Sequence, residues 1–185
     1  MSAAASVLWR RLDRPGHEAA HVLEADDGWT LSGVAVFLHE GEACDLAYRI
    51  LCDRDWRTRR TEVTGTIGGK SVLVRADVSP SGDWTVGGER LGELSACLDV
   101  DLNFSPSTNL LPIRRLALAV GEERPVRAAW LRFPSFRFEP LDQTYRRLAA
   151  DRYLYTSGGG RFEAELEVDE NGFVRRYPGF CEIER

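Results

Sequence analysis

Phe162-Glu163-Ala164-Glu165-Leu166-Glu167-Val168 carries an apolar residue at every second position and a glutamate between each pair. Successive side chains of a β-strand point to opposite faces, so this period of two describes a strand with one face buried and one in water. Gly158-Gly159-Gly160 before it and Asn171-Gly172 after it supply the positive φ that tight hairpins need. The same alternation recurs upstream. Leu46, Tyr48 and Ile50 alternate with Asp45, Ala47 and Arg49, and Val72, Val74, Ala76 and Val78 alternate with Ser71, Leu73, Arg75 and Asp77. Turn pairs Asp27-Gly28, Gly68-Gly69, Ser81-Gly82 and Gly87-Gly88 separate such runs, so antiparallel connectivity follows.

Strands are predicted near 18–25, 29–38, 43–52, 57–67, 70–79, 83–87, 97–102, 115–120, 126–133, 161–168 and 173–177. Between Pro140 and Tyr153 the spacing of Leu141, Tyr145 and Leu148 is helical, which predicts a short helix there. The expected fold is mainly β: one antiparallel curled sheet, a spiral β-roll or half-barrel, with one short helix, in a single domain over residues 1–185.

The chain has a formal net charge of -5, a field that repels polyanions and argues against a nucleic-acid partner. Lys70 is the only lysine among 24 basic residues; arginine predominance matches a GC-rich genome as readily as a phosphate reader. Cys44, Cys52, Cys97 and Cys181 form no CxxC pair and have no nearby histidine, so no zinc site is expected and free thiols suit a reducing compartment. Met1 to Arg11 lacks the apolar core of a secretory leader, and no apolar run approaches the ~18 residues of a membrane helix. A cytoplasmic location without stable membrane insertion is the expectation.

Two segments carry the candidate chemistry. Asp53-Arg54-Asp55-Trp56-Arg57-Thr58-Arg59-Arg60 leads into a strand polar on both faces, which fits either a charged edge strand or the lining of a wet groove. Asp99 and Asp101 point to one side of the strand Leu98–Leu102, as calcium ligands, an acid–base pair, a solvated face or partners of nearby arginines. Arg57 and Arg59 are expected to face Asp99 and Asp101 in one polar patch. Within Ser105-Pro106-Ser107-Thr108-Asn109-Leu110-Leu111-Pro112, two prolines fix φ and the Asn109 amide is expected to satisfy backbone groups, so Asn109 and Arg114 are read as structural first. Trp56 is read equally as a core aromatic or as a ligand anchor. His17, His21 and His39 stand in no nucleophile setting.

Tyr48-Arg49-Ile50, Asp55-Trp56-Arg57-Thr58-Arg59, Asp99-Val100-Asp101-Leu102, the run Ser105 to Leu116 and Tyr177-Pro178-Gly179-Phe180, together with Trp9 and Glu18, resemble in order and spacing the putative glycolipid-binding family of bacterial β-proteins. The resemblance spans nearly the whole chain. It implies a rolled sheet similar to carriers of lipids and lipoproteins, and a lipid or glycolipid ligand; the residues themselves give no expectation of a cofactor or metal. On this reading Tyr48, Trp56, Arg57, Arg59, Asp99, Asp101, Asn109, Arg114 and Tyr177 are the candidate ligand-binding residues, with an apolar moiety in the concavity of the sheet. An enzyme using Asp99 and Asp101 with arginines, and a structural self-associating β-protein, remain open alternatives; exposed strand edges permit a homodimer.

Overall fold

A computed structural model describes residues 3–184, so Met1, Ser2 and Arg185, the outermost residues of the expected 1–185 domain and of the segment read as no leader, lie outside the described residues. The strands are β1 (Ala3–Arg11), β2 (Gly16–Ala25), β3 (Gly28–His39), β4 (Glu42–Asp53), β5 (Thr58–Ile67), β6 (Lys70–Val78), β7 (Trp84–Val86), β8 (Glu89–Arg90), β9 (Asp99–Leu102), β10 (Glu123–Arg132), β11 (Arg137–Ala149), β12 (Arg152–Ser157), β13 (Phe162–Val168), β14 (Val174–Tyr177) and β15 (Cys181–Ile183). One helix, α1 (Leu110–Leu116), lies between β9 and β10.

All the strands join one sheet, in the order β8-β7-β6-β5-β4-β3-β2-β1-β15-β14-β13-β12-β11-β10-β9. Pairing of β1 with β15 puts the two ends of the chain side by side in mid-sheet. The sheet does not close into a barrel; it rolls, and its β9 end is tucked inside the curl of β4 to β7. Thr58 at the start of β5 donates its backbone N–H to Leu98 O at 2.9 Å and accepts from Val100 N at its Oγ1 at 3.0 Å. Phe138 of β11 meets Trp84 of β7 with ring centroids 6.1 Å apart. Tucking leaves β9 and β10 buried on both faces, with Val100, Leu102, Ala129 and Leu131 against one layer and Asp99, Val126 and Ala128 towards the other. Trp9 and Trp84 are fully buried, and each indole N–H finds a carbonyl, Val174 O at 2.6 Å and Cys97 O at 3.0 Å, as a buried tryptophan requires.

Three expectations are corrected. Residues 137–149 form the long strand β11 and not a helix, and the helix falls instead at 110–116. Pro112 is tolerated there because the first-turn N–H groups of a helix have no intrahelical acceptor. Residues 115–120, expected as a strand, are the last turn of α1 and its exit, which Ala117 makes in a left-handed conformation at φ 43°. Pairing is antiparallel throughout except between β9 and β10, which run parallel because the α1 segment carries the chain back over the fold.

Strand β5 is no edge: it lies between β4 and β6. Its two-faced polarity has a different origin. Thr58 and Thr61 are buried on the inner side, while Arg60 and Glu62 on the outer side pair across the ladder with Asp77 and Arg75.

Candidate functional site

Beneath the inner face of the sheet lies a buried polar network whose assembly begins with a glycine. A Cβ on Gly33 would stand 2.3 Å from Tyr48 Oη and 2.6 Å from Ala19 O. The missing side chain therefore lets the Tyr48 ring cross β3 and reach Glu18 on β2. Tyr48 Oη donates to Glu18 Oε1 at 2.6 Å, and Ser105 Oγ donates to the same oxygen. Ser105 Oγ is also hydrogen-bonded to Ser107 Oγ at 2.7 Å and accepts from Ser107 N at 3.1 Å. Glu18 is 1% exposed and its Oε2 has no partner. Burial lifts its carboxyl to about 7, against the hydrogen bonds of Ser105 and Tyr48 and the charge of Arg11.

Ser105 also forms part of the wall of a cavity of about 370 Å³ on the inner side of β9 to β14. Such a volume falls in the lower part of the ~300–1,000 Å³ range of small-molecule sites. From β12 to the β14–β15 turn come Tyr155, Phe162, Tyr177 and Phe180, in mutual contact with centroid separations between 5.2 and 6.3 Å. From β9 and the loop after it come Asp101, Asn103, Ser105 and Asn109, with Trp130 of β10 beside them and Arg161 at the glycine-rich β12–β13 hairpin. The cavity thus combines an aromatic wall with a row of short polar side chains. Gln143 donates to Asp101 Oδ2 at 2.6 Å, and loss of hydration lifts the Asp101 carboxyl to about 6 against that bond.

Of the residues singled out in the sequence, Asp101, Asn109 and Tyr177 meet at this cavity. Asn109 does both jobs expected of an amide in a constrained loop: Nδ2 donates to Pro106 O at 3.1 Å and Oδ1 accepts from Tyr145 Oη at 2.8 Å. Tyr48 lies behind the cavity and touches it only through Ser105. Trp56 and Arg114 belong elsewhere, because Trp56 stacks on Trp29 at 4.4 Å and Arg114 covers it at 5.6 Å.

The single polar patch does not form, although its two segments meet through Thr58. Arg59 binds Asp53 at 2.6 Å and Ser79 O at 3.1 Å, Asp99 is held by both Nε and Nη2 of Arg115, and Arg57 is exposed. Asp99, 1% exposed, is neither solvated nor in the cavity. Trp130, Tyr155, Phe162 and Phe180 are cavity residues outside the candidate ligand-binding set: alternation places Trp130 and Phe162 on predicted strands, and Tyr155 and Phe180 lie outside them. Only Phe180 carried a signal, in the quoted Tyr177-Pro178-Gly179-Phe180 run.

Among the described residues no group of three side chains is placed to hold a metal ion, and no helix is long and apolar enough to cross a membrane. All four cysteines are buried and burial raises their thiol pKa, which leaves little reactive thiolate.

The family model described as putative glycolipid-binding matches residues 6–182. The chain belongs to the putative glycolipid-binding family. A DUF1089 family protein of Pseudomonas aeruginosa has a crystal structure similar to this chain, with a TM-score of 0.80 and 32% identity over 98% of this chain and 95% of that one. A β-barrel-like protein of the domain of unknown function DUF1849 from Brucella abortus shares the fold at a TM-score of 0.56 and 10% identity, over 97% of this chain and 95% of that one. No curated protein matches the chain.

Proposed function

We propose that this chain binds a lipid or glycolipid without altering it, its apolar part against the aromatic wall and its hydroxyl-bearing head against Asp101, Asn103 and Asn109. The observation that carries this reading is the composition of the aromatic cavity: flat rings for an acyl chain or a sugar face, and short hydrogen-bonding side chains beside them. The family description points to the same ligand class.

Binding is favoured over catalysis by the state of the reactive groups. Ser105 Oγ is taken up by Glu18 and Ser107, and Asp99 is tied to Arg115, so the two aspartates do not share a space in which to act as acid and base.

Titration with n-decyl β-glucoside below its micelle concentration tests the proposal. Tryptophan emission is expected to shift, to lose the shift in Trp130→Phe and to keep it in Trp56→Phe. Affinity should rise as pH passes upward through about 6, because ionised Asp101 is the better acceptor for a sugar hydroxyl. Emission that does not respond, or a response lost with Trp56 and kept without Trp130, refutes the assignment.

A further inference from the structure

We infer that a second pocket, continuous with the first, holds an anionic group, a phosphate or carboxylate, carried by the same ligand. The inference rests on the binding reading above and specifies its ligand class. The second pocket has a volume of about 410 Å³ and shares Asn103, Phe162, Tyr177 and Phe180 with the aromatic cavity, so one molecule can occupy both.

Its polar lining is an arginine cluster with one cation in excess. Arg11 is closed off: Nε and Nη2 donate to the two oxygens of Asp13, each at 2.9 Å, and Nη1 donates to Phe104 O at 2.7 Å. Its guanidinium lies between the rings of Phe37 and Phe180, at 4.6 and 4.7 Å. Asp13 is the one acid among the described residues that line the pocket, and both its oxygens are taken. Arg14 adds a further bond to Asp13, from Nε at 2.8 Å, but the charge of Asp13 is already matched by Arg11.

The positive charge of Arg14 is therefore the surplus at the pocket lining, and His39 holds its guanidinium there. Nη1 lies 3.1 Å from His39 Nδ1. A guanidinium has no acceptor, so that imidazole nitrogen carries the lone pair and the proton sits on Nε2. The His39 ring is held edge-on to Phe133 at 4.7 Å. Arg14 Nη2 and His39 Nε2 have no hydrogen-bond partner among the described residues; Arg14 brings a cationic N–H to the pocket lining, and His39, whose Nε2–H lies on the ring edge turned away from Arg14, brings a separate neutral one.

Comparison of n-decyl phosphate with n-decyl β-glucoside, both below their micelle concentrations, reads the charge preference directly. The phosphate is expected to bind about tenfold more tightly, with salt narrowing the gap. Arg14→Gln should abolish the preference while leaving glucoside affinity and the Arg11–Asp13 pair as they are, and His39→Ala should weaken phosphate binding less. Equal affinities, or a preference that survives in both variants, overturn the anionic subsite and leave the aromatic cavity standing. Failure of both probes to bind overturns the cavity reading and the subsite with it.

Discussion

Glu18→Gln should flatten the pH dependence of folding stability, and the size of the effect follows from the network around that carboxyl. In the folded chain the group titrates at about 7, against an ordinary value of 4.5, chiefly because burial removes it from water. The folded state then holds its proton more tightly than the unfolded state. Stability from this group is complete below pH 4.5 and is lost as pH rises through about 7, by about 3 kcal/mol in all. Glutamine cannot titrate, so the loss disappears. Its Oε1 still accepts from Tyr48 and Ser105, but its amide nitrogen takes the place of the unpartnered Oε2 and costs about 1–3 kcal/mol at every pH. Urea unfolding of both chains from pH 4.5 to 8 measures the difference, in which every other titrating group cancels. The variant is expected to be the less stable at pH 4.5 and to draw level or ahead by pH 8. A difference that stays constant over that range refutes the account of Glu18 as a buried, protonated acid.

Trp56→Ala removes the ring held between Trp29 and Arg114 and should cost about 3–5 kcal/mol of stability while leaving glucoside affinity unchanged; a small cost with lost binding would restore Trp56 as an anchor. Asn109→Ala breaks the bonds to Pro106 O and Tyr145 Oη and should lower stability by about 1–3 kcal/mol in thermal or urea unfolding, and an unchanged midpoint contradicts the structural role of the amide.

Strands with one wet face were legible in the sequence because water writes the alternation; β13 and β4 are examples. Where the sheet tucks inside itself that signal fails. On β11 the inward residues are Leu141, Gln143 and Tyr145, and Gln143 is polar because it serves Asp101, so the alternation breaks and the remaining apolar spacing imitates a helix. Pro140 adds to the disguise. It sits where β12 does not reach, since pairing between β11 and β12 begins at Gln143, and a missing N–H is tolerated on an uncovered stretch. Charge pairing was misread for a related reason. Arg115, on α1, is the partner of Asp99, and only the fold brings them together.

Candidate residues of the Asp99–Asp101 strand, the Ser105–Asn109 loop and the Tyr177–Phe180 turn could be found because polar or aromatic residues stand there in unusual company. Trp130 and Phe162 could not, since a cavity-lining aromatic and a core aromatic obey the same alternation, and Tyr155 lies on β12, where no strand was expected.

Native mass spectrometry of the chain incubated with a total membrane lipid extract, beside a variant whose cavity is filled by Leu141→Trp, tests the central claim most directly. One intact amphiphile is expected on the wild-type chain, recovered unchanged on organic extraction, and none on the filled variant. A bare chain in both, or equal lipid on both, contradicts that claim.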